Sequence, residues 1–281
     1  MTDSTCCLPP ELLSEYHIHV VPLLILHDGD TYRDGIDLPV SEVYQIMRRR
    51  EAMPTTAVPS PVDFLETYRQ LSEKAESILC ITVTGTLSGT FKAALLARKM
   101  ARDEMPNTAI EVIDSRTVAG SMGFIVLEAA RAAANGADLV GAREVAQSMI
   151  PRVSFVSVID TLYYLARTGR TGKASAWAAS LLNIKPIVEI PTSEGQTVPV
   201  ERARTRAKAM KRLLEIMAER VGESPVHVMV HHADMPEEAE TVRAQIAVQF
   251  DCAELHVTEF TPLMGVHTGP GLVGIAFYKD N

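Results

Sequence analysis

Residues 77–113 read SILCITVTGTLSGTFKAALLARKMARDEMPNTAIEVI, and their order decides the fold class. Ser77 to Val83 is an apolar, β-branched run that reads as a strand. Gly85 to Thr90 supplies turn residues, and from Ser88 to Asp103 the apolar positions recur at a helical period. Ile110 to Ile113 returns to strand. Strand, turn, helix and strand is the repeating unit of a parallel α/β sheet, because two parallel strands need a long crossover between them. Outward from this unit the alternation continues. Strands are expected at His19 to Leu26, Val153 to Ile159, Pro186 to Ile190, Val226 to His231, Glu254 to Glu259 and Leu272 to Phe277. Helices are expected at Ser41 to Arg50, Pro61 to Lys74, Val118 to Asn135, Arg143 to Arg152, Arg202 to Val221 and Pro236 to Phe250. Ser60-Pro61 puts a capping hydroxyl before a proline at the first helical position, and Gly136 is a helix stop.

Asp160 to Asn183 breaks the alternation, since it sets Thr168, Gly169, Arg170, Thr171, Gly172 and Lys173 between two helical stretches with no strand pattern. The domain junction is expected there. The chain then divides into an N-terminal α/β domain, 1–159, and a smaller C-terminal α/β domain, 160–281, each with a mostly parallel sheet flanked by helices.

Composition bounds the function. The 281 residues are 47% hydrophobic and 22% charged, the profile of a packed globular chain. Lysine and arginine number 27 against 35 aspartate and glutamate, a net charge of −8 that repels a phosphate backbone, so nucleic acid is not an expected partner. No run reaches the length of a membrane span and MTDSTCCLPPELL has no leader pattern, which leaves a cytoplasmic protein as the expectation. Cys6, Cys7, Cys80 and Cys252 form neither a disulfide framework nor a spaced zinc motif, and fit a reducing compartment.

The common nucleotide and catalytic signatures fail. Gly269-Pro270-Gly271-Leu272-Val273-Gly274 has dinucleotide spacing but precedes a strand instead of a helix. Gly172-Lys173 lacks both the first glycine and the hydroxyl of a phosphate loop, and in Gly85-Thr86-Leu87-Ser88-Gly89 the serine stands one place too late for a nucleophile elbow. His17, His19 and His231-His232 announce no further metal ligands, and no metal or cofactor is expected. Three places carry chemistry instead. Ser88, Gly89 and Thr90 open a helix, where unpaired amide groups and small residues suit an anion, although Ser88 as a plain cap explains the same residues. Thr55-Thr56 forms a second hydroxyl cluster, which a capped loop also explains. His267 sits in a glycine-rich turn before a strand, free to face a cleft or to remain at the surface.

Asp3-Ser4-Thr5, Thr56-Ala57-Val58-Pro59-Ser60-Pro61, Ser88-Gly89-Thr90, Asp114-Ser115, Thr161 to Leu165 through Gly169-Arg170, Asn183-Ile184-Lys185-Pro186 and Gly269-Pro270-Gly271 occur in an order that resembles the DegV family over essentially the whole chain. The resemblance implies a non-catalytic, two-domain α/β carrier with no cofactor. It would bind a long-chain fatty acid in a tunnel at or near the domain interface, and the ATP-binding subunit of fatty acid kinase would phosphorylate the carboxylate. It makes Thr56 and Ser88 hydroxyl donors to the carboxylate, Gly89 and Thr90 backbone donors, and His267 a partner at the mouth. A mostly neutral donor set suits an acid that must be handed on. Arg170, with Arg202 and Arg204 at the head of a long helix, are local basic exceptions in an acidic protein and are expected to meet the kinase or its phosphates. The alternative is a phosphotransferase or hydrolase using Ser88 with His267. Three departures stand out: only Met1 and Thr2 precede Asp3, which implies either a missing first strand or a start assigned late; Ala57 and Val58 replace a serine and an amide; and Thr168 replaces one glycine before Arg170.

Overall fold

The computed structural model describes residues 1–49, 52–178 and 184–280. Asn183 and the end of the helix expected to reach Arg50 lie outside them. In chain order the strands are β1 (Thr2–Asp3), β2 (Val20–Val21), β3 (Leu24–His27), β4 (Asp30–Arg33), β5 (Thr55–Ala57), β6 (Ser77–Thr82), β7 (Ala109–Asp114), β8 (Ser154–Val158), β9 (Lys185–Glu189), β10 (Val198–Ala203), β11 (Val226–His232), β12 (Cys252–Glu259) and β13 (Val273–Lys279). The α-helices are α1 (Pro10–Glu15), α2 (Val40–Arg49), α3 (Pro61–Ser72), α4 (Thr90–Glu104), α5 (Ala119–Ala134), α6 (Leu139–Met149), α7 (Tyr163–Arg167), α8 (Ser175–Ala178), α9 (Arg206–Val221), α10 (Pro236–Gln249) and α11 (Pro262–Thr268).

Three sheets result. The four-stranded one, β2-β1-β6-β7, is parallel throughout, as the βαβ reading of residues 77–113 requires. The six-stranded one, β10-β9-β8-β13-β11-β12, is mixed: β11 and β12 run parallel and the other neighbours antiparallel. A small antiparallel sheet, β4-β3-β5, completes the set. α5 explains how the two larger sheets form one body. Its residues from Ala119 to Leu127 are all buried, and it touches β6 on one side and β8, β11 and β13 on the other. A helix apolar all round has to lie between layers.

Five sequence expectations change, the first being the six-stranded sheet, which is mostly antiparallel where a mostly parallel one was expected, because apolar runs buried on both faces carry no strand direction. The run His19 to Leu26 is two strands in two sheets, since Pro22 has no amide hydrogen for a continuous ladder. The first strand is present: β1 is two residues long but central, pairing with both β2 and β6. The long helix begins at Arg206, so Arg202 lies in β10 and Arg204 in the turn after it. β8, ahead of residue 160, is an inner strand of the six-stranded sheet, so the change of sheet along the chain comes before Ser154.

Candidate ligand-binding site

A cavity of about 850 Å³, its mouth included, lies where the three sheets meet. Leu23, Val83, Val118, Phe155, Leu263 and Leu272 give it apolar walls, and Thr56, Ser88, Arg170 and His267 all line it.

Each polar residue is placed by its own element. Thr56 is the middle residue of β5, held opposite Ile25 of β3. Ser88 lies in the turn between β6 and α4, where its Oγ is 2.8 Å from Thr90 Oγ1 and accepts the Thr90 amide at 3.3 Å. It therefore takes up the first amide of the helix from the position before the N-cap and also faces the cavity. A Cβ at Gly89 would meet Val58 at 3.5 Å, so the Ser88 turn lies alongside the residues that follow Thr56. Gly89 is the N-cap residue of α4 and Thr90 is fully buried; the cavity wall takes in Leu87 and Ser88 and stops short of both.

His267 belongs to the last turn of α11, not to the open turn expected from its glycines. The helix is short and well anchored. Asp34 Oδ1 accepts the Leu263 amide at 2.8 Å, and Thr261 caps the first turn through Met264. Gly265 lets the helix press on Tyr44 of α2, where a Cβ would come within 2.8 Å of the ring. Gly269 ends it at φ 72°, a conformation that favours glycine, against the Tyr164 ring. His267 Nε2 is 3.2 Å from Thr56 Oγ1, while its buried Nδ1 has no partner among the described residues. Burial and then the nearby Arg170 cation push the imidazole pKa down to about 3, so the ring is neutral near pH 7.

Arg170 is the principal revision. Expected to meet the kinase or its phosphates, it lines the cavity half-buried. After α7 the Gly169 amide donates to Ala166 and the Arg170 amide to Leu165 at 2.8 Å, with Gly169 at φ 72°; this paired helix stop folds the chain back. Thr197 Oγ1 holds the Arg170 carbonyl at 2.8 Å, and the guanidinium donates to the Thr168 carbonyl. Burial lowers its pKa from the ordinary value, but an arginine starts so high that it remains a cation at neutral pH. The donor set is thus three neutral groups and one positive charge, not a neutral set. Arg202 and Arg204 are exposed and away from the cavity, Arg202 lying 4.2 Å over the Trp177 ring.

Sequence reasoning missed Asp34, which positions α11, and Asp3, whose carboxylate accepts from Thr5 and, at 2.7 Å, from the Val83 amide beside the cavity. Burial pushes both carboxyls up to about 6. For Arg170 the one local signal was a glycine directly after a short helix. Hydroxyls, a neutral imidazole and a guanidinium lining one cavity are chemistry suited to an anion. Ser88 pairs with Thr90 and His267 with Thr56, and no carboxylate among the described residues orients the imidazole. Among the described residues no group of three acidic, histidine or cysteine side chains is placed for a metal, and no helix is long and apolar enough to cross a membrane.

The DegV family model, described as "Uncharacterised protein, DegV family", matches residues 1–280. The DegV domain-containing protein SCO2569 of Streptomyces coelicolor is 35% identical, over 98% of this chain and 96% of that protein. Among solved structures, a fatty-acid-binding DegV family protein from Thermus thermophilus superposes with a TM-score of 0.91 at 30% identity, covering 99% of this chain and 98% of that one. DegV from Bacillus subtilis, a fatty acid binding protein, gives 0.89 at 29% identity over the same shares of the two chains. The chain belongs to the DegV family.

Proposed function

We propose that this protein binds one long-chain fatty acid in the cavity between its sheets and presents the carboxylate to a separate ATP-dependent kinase subunit, without turning it over itself. The observation that carries the reading is a cavity with mostly apolar walls onto which Thr56, Ser88, Arg170 and His267 also open. Fatty-acid binding by the Thermus and Bacillus relatives supports it. At roughly 0.8 kcal/mol per buried methylene, about fifteen methylenes supply on the order of 12 kcal/mol before ordering costs, so the tail provides most of the affinity. The head group then needs only orientation. In the neutral tautomer with its proton on Nε2, His267 donates to Thr56 Oγ1, which frees the Thr56 hydroxyl to donate to a carboxylate oxygen. Arg170 supplies the counter-charge.

Arg202 and Arg204, exposed on the six-stranded side, are the basic positions offered to the kinase. The buried thiols Cys6 and Cys80, pushed up to about 12 and about 11 by desolvation, suit a reducing cytoplasm where such groups stay protonated and inert. The test is mass spectrometry of an organic extract of the purified protein, followed by reconstitution with a fatty acid kinase subunit and ATP. Co-purified acid and acyl phosphate made only with both subunits are expected. Turnover of an ester or phosphate by the protein alone would replace the carrier with the hydrolase or phosphotransferase reading. Arg204→Glu should lower acyl-phosphate formation and leave acid binding unchanged.

A further inference from the structure

The cavity has a far wall as well as a polar end. Ile159, Ser157 and Phe155 project from one face of β8 and its C-terminal extension, as alternation dictates, and all three line the cavity. Ile159 lies just past the pairing of Val158 with Val273, at the level of Leu272, which follows α11 in the chain. From Ile159 to Phe155 is about 13 Å at roughly 3.3 Å per strand residue. Phe155, with Phe260 beside it on the same cavity wall, is therefore the aromatic residue of β8 reached by an acyl tail that runs along this strand away from Ile159.

The ring is braced from behind. It is 4% exposed and sits edge-on to His231 at 6.0 Å and tilted to Phe260 at 6.2 Å. It lies across Gly274 of β13, where a Cβ would fall 2.9 Å from Ser157 Cβ, its fixed cross-strand neighbour, and 3.0 Å from the ring atoms Cε2 and Cζ. His231 is itself fixed, accepting the Gly120 amide at 2.9 Å on Nε2 and pairing with Thr258 Oγ1 at 2.6 Å on Nδ1. Phe155 and Glu189 also border an outer hollow whose other walls include Ile150, Pro151, Pro191 and Arg220, so the space past this residue is not solid core.

Resting on the fatty-acid reading above, we propose that Phe155 is the end stop of the acyl channel and sets the longest chain the protein accepts. A ring held by Gly274 and His231 cannot swing aside without disturbing the six-stranded sheet. A longer acid must then either leave its last methylenes unburied or pull its carboxylate off the polar cluster. Below the stop, each added methylene should tighten binding by roughly fourfold.

The experiment is displacement of cis-parinaric acid by a homologous ladder of saturated fatty acids, for wild type, Phe155→Ala, Phe155→Leu and Gly274→Ala. Wild-type affinity should climb along the ladder and then fall. In Phe155→Ala and Phe155→Leu the maximum should move to a longer acid, Ala further than Leu. In Gly274→Ala, where the new methyl drives the ring into the channel, it should move to a shorter one. If Phe155→Ala fails to fold by circular dichroism, the milder Phe155→Leu decides. A maximum at the same acid in wild type and the folded Phe155 variants would overturn the end stop and leave the carrier reading intact. Wild type that binds no acid of the ladder would overturn both.

Discussion

His267 and Thr56 share one proton donor slot, and that fixes the expected effect of changing either. Thr56→Val keeps the shape, removes the hydroxyl and leaves His267 Nε2 without its 3.2 Å partner. It should weaken fatty-acid binding by about 1–3 kcal/mol, whereas Thr56→Ser should bind almost as wild type, as read by displacement of a fluorescent acid. Arg170→Gln should cost at least as much, since a charge-assisted bond to carboxylate is the stronger kind. Buried titratable residues set the pH response of stability. His267 and His231 are both pushed down to about 3 by burial, against about 6.5 in an unfolded chain, so as pH falls through 6.5 the unfolded state takes up protons first and stability is lost. Asp3 and Asp34 act oppositely: with folded values of about 6 they take up protons before the unfolded chain does, and add stability as pH falls from 6 toward 4. His267→Gln removes one term of the first kind. Urea unfolding at pH 7 and pH 5 should show the variant losing about 2 kcal/mol less than wild type between the two, and equal losses would mean that His267 is not held neutral.

α11 shows which elements a sequence exposes and which it hides. The seven residues PLMGVHT open on Thr261-Pro262, a capping hydroxyl before a proline like Ser60-Pro61, but Gly265 lies within the run and its anchor, Asp34, lies far away in the chain. That start signal is local, but the run after it is short and Gly265, Gly269 and Gly271 surround His267, so the histidine reads as part of a turn. α3 is the opposite case: Ser60 and Asp63 form a reciprocal cap in which all the partners are neighbours, and the helix is legible from them. The parallel unit at residues 77–113 was legible for the same reason. Strand direction in the second sheet was not, because an inner strand buried on both faces has the same apolar run in either direction. Of the site, Thr56, Ser88 and His267 were visible as hydroxyls and a histidine in turn-like contexts. Arg170 was not, because a basic residue after a loop glycine reads as surface until the helix stop folds it inward. The α11 anchor is open to test. Asp34→Asn keeps an acceptor oxygen for Leu263 and removes a carboxylate that burial disfavours, so at pH 7 its stability should match or exceed wild type. Asp34→Ala should lose about 1–3 kcal/mol in urea unfolding and also weaken acid binding, because the helix that carries His267 is left untied.

At the scale of the molecule, the cavity draws a wall from every sheet: Val83 follows the four-stranded one, Thr56 lies in the small one and Phe155 in the six-stranded one. α5 fills the remaining space between the larger two, and one apolar cluster runs continuously from Ile81 and Ile113 to Phe155 and Ala276. A tail in this position touches all three layers, so binding and folding are coupled across the whole chain. A ligand that binds only the folded state adds RT ln(1 + [L]/Kd), about 2.7 kcal/mol at a hundredfold excess over Kd. At roughly 2–4 °C per kcal/mol for a chain of this size, stripping the acid should lower the Tm by about 5–10 °C, and adding it back should restore the value. Hydrogen exchange locates the effect. Amides of α11, β5 and the turn at Ser88 should gain protection with the acid, while those of α10 and the edge strand β12, away from the cavity walls, should gain only what global stabilisation gives. A Tm that ignores fatty acid, or protection gained equally everywhere, would place the ligand outside this cavity.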